Sequence, residues 1–406
     1  MKQKVIVIGH GYTSRLGIIR ALGREGYEVT VIVLTGYNRD GRTLNTQKPI
    51  DCYSKYVSRV LYCPSDREKL IQLLLTECVD PQQKVVLIPD SDFSTAAVDL
   101  NAERLREDFL FPHINHKPGE IVAWMDKFRQ KELAASVGLN VARGWRIDVI
   151  EGAYSIPDDI LYPCFPKPLA TLQGGKRGLK RCNNEAELRE VVAFLSKTNP
   201  TISILVEEFK KIDVEQALLG FTDGQEVIIP GIIKTRLLAH GGHFGVAIQG
   251  EILPVTGYEE LIEKFKSIVL RIGFVGIFDI DFYQSEKEIY FCEINFRYGG
   301  SGYAYTAMGV NFPVMLVKTL LGESISEMQR AIVQKAVFVN ERMCIDDWYG
   351  GYISTKDYYS ILNSSDIKFV YDKEDKSPQY QLEKLFKIRY LKKIARKLMG
   401  KKISRS

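Results

Sequence analysis

Two runs of alternating apolar and polar residues, joined by a short charged segment, constrain this chain more than any other stretch. Residues 277–283 alternate in this way, and so do residues 289–295. A period of two is typical of β-strands with one apolar face. The residues between the runs, Glu286-Lys287-Glu288, are expected to form a three-residue turn. The stretch is therefore predicted to be an antiparallel hairpin.

A three-residue turn sets the register of this hairpin. It places Asp281 opposite Glu293, and Asp279 opposite Asn295. Opposed residues lie about 5 Å apart, where like charges destabilise the pair. A hard divalent cation such as Mg²⁺, bound to phosphate, would offset that repulsion through oxygen ligands. The alternative is an ordinary exposed hairpin whose acids only keep one face soluble.

The same stretch resembles the metal-binding hairpin of the ATP-grasp ligases, in which an Asp or Glu is followed by Glu-x-Asn-x-Arg. Asp281, Glu293, Asn295 and Arg297 occupy the four positions. The resemblance implies that Asp281, Glu293 and Asn295 bind Mg²⁺, with Mn²⁺ as an alternative ion, beside ATP. It also implies that Arg297 acts catalytically, by neutralising the phosphoryl group in transfer.

Length and composition are those of an ordinary globular protein. The chain has 406 residues, 45% of them hydrophobic and 26% charged, which predicts two or three domains. No run of about 18 apolar residues and no leading signal sequence is found, so a cytoplasmic protein is expected. The seven scattered cysteines form no Cys-x-x-Cys, which favours reduced, buried thiols.

The first segment has a βαβ pattern like that of a Rossmann-type unit. A strand ending at Gly9, a turn over Gly11–Ser14 and a helical stripe precede a second strand that ends near Leu34. Ser14 stands where a dinucleotide fingerprint needs its third glycine, and the second strand ends without an acid, so dinucleotide binding is disfavoured. The turn over Gly11–Ser14 either holds an anionic group of the acceptor substrate or is only structural.

A later apolar strand, Val85–Pro89, ends in Asp90-Ser91-Asp92. Ligands of parallel α/β sheets bind at the carboxyl ends of the strands, so these acids could bind an amine. The alternative is that they cap the helix that begins near Phe93. We expect this first domain to span residues 1–115.

Further segments resemble the same ligase family in the family's order. A helix over Glu120–Gly138 carries Lys127, which matches a lysine that reaches an ATP phosphate. Prolines on both sides of Lys167 fix the direction of that side chain, which matches the strand lysine of the family. A glycine-rich loop with Gly174, Gly175 and Lys176 follows, suited to fold over phosphates, with Lys176 among the catalytic cations.

The strand over Ser203–Phe209 matches the family's linker beneath the adenine. The resemblance implies that backbone groups at its end, through Phe209, read the base, and that the candidates for the amino group and ribose are Glu207, Glu208 and Glu215. A following hairpin ends in Lys234 and Arg236, cations that would face the reacting carboxylate or the γ-phosphate. The pair His240 and His243 lacks further metal ligands, and a lid is the favoured interpretation.

The resemblance implies a mixed α/β and α+β architecture. A Rossmann-like pre-ATP-grasp domain (1–115) precedes a two-subdomain ATP-grasp fold (116–210 and 211–322), and a C-terminal extension covers 323–406. The chain looks most similar to the amino-acid-adding carboxylate–amine ligases, including the D-aspartate ligases, although it departs from them after Arg297. Such ligases activate a small-molecule carboxylate as an acylphosphate and couple it to an amine. A phosphotransferase and an ATP-binding protein without turnover are the alternatives.

The C-terminal tail is strongly basic. Ten Lys or Arg residues and one Glu lie within Tyr380–Ser406, so this segment alone carries a net charge of +9. Apolar residues from Leu382 to Met399 follow helical spacing, with Arg389 interrupting the stripe. A basic amphipathic helix of this kind can lie on an anionic membrane, which would place the protein at the inner face of the membrane. The alternatives are packing on the chain's own domain or on a second copy in a homodimer. Nucleic acid is disfavoured as a partner because the tail has few aromatic residues.

Overall fold

The computed structural model describes residues 2–11, 13–39, 41–169, 178–240 and 245–398, with side chains in the last helix described as far as residue 395. The strands of the N-terminal sheet are β1 Lys4–Gly9, β2 Glu28–Thr35, β3 Val57–Pro64, β4 Val85–Pro89 and β5 Phe109–Leu110. Its helices are α1 Thr13–Arg24, α2 Arg67–Glu77, α3 Asp92–Leu100 and α4 Ala102–Leu105, with a 3₁₀ helix at Ile50–Tyr53.

These five strands are all parallel and lie in the order β3-β2-β1-β4-β5. The central strands are almost continuously apolar and buried, as expected when helices cover both faces of a parallel sheet. The predicted Rossmann-like arrangement is confirmed.

Three strands of the next segment form a small antiparallel sheet with the order β8-β10-β9. The elements of the whole segment are β6 His113–Ile114, α5 Glu120–Trp124, α6 Lys127–Ser136, β7 Asn140–Val141, β8 Gly144–Val149, β9 Cys164–Pro168, α7 Glu185–Thr198 and β10 Ile202–Glu208. Asn184 caps α7 by accepting a hydrogen bond from the Glu187 amide at 3.0 Å. Apolar residues of α7, spaced by three and four, pack against the inner face of β10.

A larger sheet follows. Its elements are β11 Val214–Thr222, β12 Val227–Ile228, β13 Ile232–Leu238, β14 Ala247–Leu253, α8 Glu259–Ile272, β15 Phe274–Ser285, β16 Glu288–Asn295, α9 Gly302–Ala307 and α10 Phe312–Leu320. The remaining elements are β17 Ala336–Val339, α11 Glu341–Gly350, α12 Thr355–Asn363, β18 Ile367–Lys368 and α13 Lys376–Leu398.

The larger sheet has the order β18-β17-β14-β13-β11-β15-β16-β7, with β12 paired to β11 and β6 paired to β15. Strands from three parts of the chain therefore share it. β6 and β7 come from before the small sheet, and β17 and β18 come from the C-terminal extension.

Helix α8 covers one face of this sheet. Ile262, Phe265, Val269 and Ile272 recur at helical spacing and are buried against apolar residues of β15. The helix ends at Gly273, whose φ of 74° is the left-handed conformation favoured for glycine after a helix. Because α8 fills this face, the polar residues of β15 point to the other.

The β15–β16 hairpin has the predicted register but not the predicted turn. Asp281 pairs with Glu293, and Asp279 pairs with Asn295. Ser285 already pairs with Glu288, so the turn has two residues, both with positive φ, as in a type I′ turn. A bulge between positions 281 and 282 restores the register. The predicted three-residue turn is therefore wrong, and the bulge offsets that error.

The last helix, α13, packs on the protein along its first half. Leu382 is 6% exposed, and the Phe386 ring lies 4.8 Å from that of Trp348, centroid to centroid. Arg389 pairs with Asp346 on the same side, so it belongs to the packed face and does not interrupt it. Packing of this half on its own domain, one of the alternatives above, is confirmed.

Candidate functional site

The polar face of the β15–β16 hairpin brings the predicted metal ligands together. Opposed residues of an antiparallel pair project to the same face, so Asp279, Asp281, Glu293 and Asn295 share one side of the sheet. The Asn295 side-chain amide donates to Asp281 Oδ2 at 3.3 Å. On β11, the small residue Ala217 lies opposite Asp281.

Helix α6 lies beside β16 and brings a cation to this face. The Asp126 carboxylate caps the helix by accepting amide hydrogen bonds at 2.8 and 3.0 Å. Gln130 anchors it to β16 by exchanging two hydrogen bonds with the Ile294 backbone, at 2.9 and 3.0 Å. Lys127, in the first turn and 8% exposed, forms an ion pair with Glu293. The predicted nucleotide lysine and a predicted metal ligand are therefore neighbours.

One helical turn further on, α6 contributes to a second buried ion cluster. Lys131 pairs with Glu207 of β10, whose other oxygen lies 2.6 Å from Lys167 Nζ of β9. Burial disfavours a charged Glu207, but Lys167 and Lys131 outweigh that effect, so the pKa of Glu207 is lowered. Burial likewise opposes the charge of Lys167, yet the surrounding Cys292, Glu207 and Glu293 raise its pKa. Lys167 therefore points toward the carboxylates of Glu207 and Glu293.

Arg297 connects the hairpin to the N-terminal domain. Its Nε donates to Asp92 Oδ1 at 2.9 Å, and its Nη1 lies 3.9 Å from Asp279 Oδ2. Burial and the charge of Asp281 raise the pKa of Asp279, while Arg297 acts in the opposite direction. A Cβ at Gly299 would lie 2.4 Å from Asp279 Oδ2, so the glycine makes room for this carboxylate.

The donor set suits a hard divalent cation. Carboxylate and amide oxygens are the ligands such ions prefer. A gap of about 10 Å³, close to the volume that one water needs, is bordered by Asp92, Lys127, Glu293 and Asn295. Among the residues that the structure describes, no three His, Cys, Asp or Glu side chains form a metal-binding group. The predicted set differs from such a group because its third member is an amide, Asn295.

The residues predicted beneath the adenine lie at the end of β10, just after it, and at the start of β11. The Glu208 amide donates to the Arg143 carbonyl at 2.9 Å, and its carboxylate lies 3.2 Å from Lys210 Nζ. The Phe209 amide donates to the Pro163 carbonyl at 2.9 Å. Glu215, the second residue of β11, lies opposite Tyr283 and on the same face as Asp281. Glu207, in contrast, turns inward to its two lysines.

The structure does not bring Lys234 and Arg236 to this face. Lys234 pairs in register with Gln216, which in turn pairs with Phe282, so its side chain lies on the side covered by α8. Its Nζ lies 5.5 Å from the centre of the Tyr258 ring. Arg236 Nη2 lies 3.2 Å from Glu251 Oε1, and the Glu251 residue is opposite Lys234 on β14. We expected both cations to face the reacting groups, but the register places them on the opposite side of the sheet.

Other predicted residues lie outside the described part of the chain. These are Gly174, Gly175 and Lys176 of the glycine-rich loop, and His243. His240 is described, and its Nδ1 lies 2.7 Å from Asp347 Oδ2 in α11.

Three residues at the site were not singled out from the sequence. Lys131 lies four residues after Lys127, so both fall on one helical face. Asp279 lies two residues before Asp281 and shares its strand face, but was not counted as a ligand. Asp92 was considered as an amine ligand or a helix cap, and its pairing with Arg297 was not predicted because it depends on a contact between distant parts of the chain.

Comparison with known proteins identifies a domain family and several relatives. A family model described as an ATP-grasp domain matches residues 132–312. The large chain of carbamoyl phosphate synthase from Gemmatimonas aurantiaca is 20% identical over 341 residues, which are 80% of this chain and 29% of that one. Other curated relatives are covered over 20% to 60% of their length. The chain thus spans less than two thirds of the curated relatives that it matches.

Solved structures share the fold. The biotin carboxylase domain of 2-oxoglutarate carboxylase from Hydrogenobacter thermophilus, solved with MgADP and bicarbonate, has a TM-score of 0.61 at 19% identity, over 83% of this chain and 74% of that one. An L-amino acid ligase from Bacillus licheniformis has a TM-score of 0.58 at 17% identity, over 83% and 79%. The chain therefore carries an ATP-grasp domain at residues 132–312, behind an N-terminal parallel α/β sheet.

Proposed function

We propose that this protein is an ATP-dependent ligase that joins a carboxylate to an amine and forms ADP and phosphate. The observation that carries the proposal is one face on which opposed carboxylates meet buried lysines: Asp281 and Glu293 on the hairpin, Lys127 beside them, and Lys167 nearby. We further propose an amino acid or peptide-type substrate, a choice supported by the fold shared with an L-amino acid ligase.

In this proposal the hairpin residues Asp281, Glu293 and Asn295 hold Mg²⁺ or Mn²⁺. When bound, the ion supplies positive charge to the phosphates of ATP. Lys127 and Lys167 extend into the same region and neutralise phosphate oxygens, which is the main task in phosphoryl transfer. Arg297, held by Asp92 at 2.9 Å, is oriented between the hairpin and the N-terminal domain.

The nucleotide base would lie along the end of β10. There the Phe209 backbone and the Glu208 carboxylate supply polar groups, and Glu215 stands on the neighbouring strand β11. Glu207 acts on this site through Lys131 and Lys167, because both of its oxygens are engaged by them. Lys176 remains a proposed catalytic cation from its position in the glycine-rich loop.

A substrate screen tests the function. Amino acids are offered as carboxylates against amino acid, peptide and nucleotide-sugar amines, with Mg²⁺-ATP, and both ADP and free phosphate are measured. We expect ADP and free phosphate only when a carboxylate and an amine are present together, and we expect the two products in equal amounts. Release of ADP with the phosphate retained on a product would instead show a phosphotransferase, and the absence of ADP with every pair would contradict an enzymatic function.

We also propose that the exposed half of α13 attaches the protein reversibly to an anionic membrane surface. None of the described helices combines the length and apolar character needed to cross a bilayer. Ile388, Leu391 and Ile394 are 43%, 66% and 41% exposed and fall on one side of the helix. Exposed lysines, among them Lys387 and Lys392, flank them. Each cation near an anionic surface contributes about 1 kcal/mol, so attachment would weaken with salt.

The paired substitution Leu391→Ser with Ile394→Ser tests this attachment. A chain shortened to Gln379 is unsuitable, because it would also remove the packed residues Leu382 and Phe386. We expect the parent to co-sediment with vesicles that contain phosphatidylglycerol at low salt, and the paired variant to lose most of that binding. Val333→Ser serves as the control, because Val333 is 81% exposed and lies outside α13. Equal binding by parent and paired variant would contradict the proposal. If the parent is a dimer that the paired variant loses and the Val333→Ser control keeps, the apolar patch is a dimer interface, which also contradicts the proposal.

A further inference from the structure

The N-terminal sheet has a topological switch point, where its strand order reverses, and the region outside the strand ends at that point is here called the crevice. From β1 the chain crosses through α1 to β2 on one side, whereas α2 leads from β3 to β4 on the other side of β1. Ligands of open parallel sheets bind outside the carboxyl ends of the two strands at such a switch point. Here those ends are Gly9 of β1 and Pro89 of β4, and Asp90 follows directly.

The Asp90 carboxylate lies in this crevice without a partner. The residue is 8% exposed, and within the described part of the chain neither carboxylate oxygen has a hydrogen-bond partner. A Cβ at position 9 would lie 1.4 Å from Asp90 Oδ1, so this carboxylate occupies the space that any side chain at Gly9 would fill. An unsatisfied buried carboxylate costs folding stability, which makes it unusual as a purely structural feature.

Neighbouring cations do not satisfy this carboxylate. Arg15 is fully buried and donates to Asp51 Oδ2 at 2.5 Å and to the Gly9 carbonyl at 2.7 Å. Arg297 is engaged by Asp92 at 2.9 Å. Burial raises the pKa of Asp90 to about 7, Asp51 acts in the same direction, and the two arginines oppose it without a hydrogen bond. The crevice therefore holds one more buried carboxylate than its arginines neutralise.

We propose that Asp90 binds the ammonium group of the amine substrate in the crevice between the ends of β1 and β4. The inference rests on the ligase function proposed above and names the amine-side site for it. An ammonium group supplies both the positive charge and the N–H donors that the two orphan oxygens require. The neighbouring Asp92–Arg297 pair, with side chains 16% and 24% exposed, joins this crevice to the hairpin site.

The position of Asp90 would place the amine site in the N-terminal domain, next to the ATP site of the hairpin. Arg297 lies in the electrostatic field of Asp90 and, at the same time, 3.9 Å from Asp279 of the hairpin. An amine held at Asp90 would therefore stand beside the residues proposed to bind ATP. A carboxylate at this point binds amines that are protonated in solution in preference to neutral nucleophiles. Before it attacks the acylphosphate and displaces phosphate, the bound ammonium group passes one proton to solvent.

The variant Asp90→Asn keeps the shape of the side chain and removes its charge. Parent and variant are supplied with Mg²⁺-ATP, with each amino acid as carboxylate, and with one of two nucleophile probes: L-alaninamide, which is largely protonated at neutral pH, or hydroxylamine, which is not. We expect the variant to raise the KM for L-alaninamide at least tenfold, to keep kcat within threefold, and to form hydroxamate as fast as the parent. Gly9→Ala, which displaces the carboxylate, should raise the same KM.

Asp66→Asn provides the control, because this exposed residue caps α2 and asparagine caps equally well. An unchanged KM for L-alaninamide in Asp90→Asn, or an equal loss with both nucleophiles, would overturn the assignment. If the parent forms neither ADP nor hydroxamate, the proposed ligase function fails. Binding is then read from thermal shifts of parent and Asp90→Asn with L-alaninamide against choline chloride. A shift confined to the parent supports the site, and equal shifts or none refute it.

Discussion

Asp281→Asn and Glu293→Gln are each expected to lower turnover about 100- to 1,000-fold, a range typical of losing one electrostatic stabiliser in an active site. The two carboxylates are opposed in register on one strand face, with Lys127 paired to Glu293. Substitution removes an oxygen-centred negative charge from the proposed metal site. Steady-state ADP release as a function of Mg²⁺ and Mn²⁺ concentration measures the effect.

The Asp281→Asn variant should not lose stability. The charge of Asp281 contributes to the raised pKa of the buried Asp279, so neutralising Asp281 relieves repulsion. Thermal melts of Asp281→Asn are therefore expected at or above the parent temperature, which separates lost catalysis from misfolding. Glu286→Gln, in the exposed turn of the same hairpin, is the matched control.

Asn295→Ala should lower turnover less than the two carboxylate variants, because a neutral ligand contributes less charge. Parent-like turnover in either carboxylate variant would show that the metal assignment is wrong.

Glu207→Gln is expected to lower the free energy of unfolding by about 3–5 kcal/mol, the cost of breaking a buried ion pair by removing one partner. The single carboxylate lies between Lys131 and Lys167, both largely buried, so its loss leaves two uncompensated cations. Lys167→Ala should cost less, because Lys131 still pairs with Glu207. Urea unfolding of parent and variants measures the difference.

The lowered pKa of Glu207 predicts how its contribution to the free energy of unfolding changes with pH. Because the pKa of Glu207 is lowered from its usual 4.5 in the folded protein, the carboxylate contributes its full stabilisation above the unfolded pKa. That contribution is lost as the pH falls through the lowered folded pKa. The gap between parent and Glu207→Gln should therefore be constant above about pH 5 and close in more acidic solution. Glu208→Gln, at a partly exposed carboxylate paired with Lys210, should change stability by less than about 1 kcal/mol. Equal losses in the two variants would contradict the buried-cluster argument.

Local patterns were enough to predict the strands and the facing carboxylates. Alternation with period two decides which residues of a strand share a face, and this depends only on neighbours in sequence. For that reason the shared face of Asp281 and Glu293 was predictable, although their direct pairing also depends on the bulge that offsets the shorter turn. The parallel sheet of the first domain was predictable from short apolar strands that alternate with a helical stripe. The two-residue turn at Glu286 and Lys287 was not, because both adopt a positive φ that is uncommon for residues other than glycine, asparagine and aspartate.

Contacts between distant segments decided the rest. Whether Lys234 faces the site or α8 depends on the register between β13 and β11, and no periodicity within β13 reveals that register. The cluster of Lys131, Glu207 and Lys167 joins three elements, so neither the direction of Glu207 nor the role of Lys131 is encoded locally. The tail shows the same limit, since helical spacing predicted one apolar stripe, whereas Trp348 covers Phe386 and leaves Leu391 and Ile394 exposed. A side chain's partners are set by packing of elements far apart in sequence, and only the tertiary structure brings those elements together.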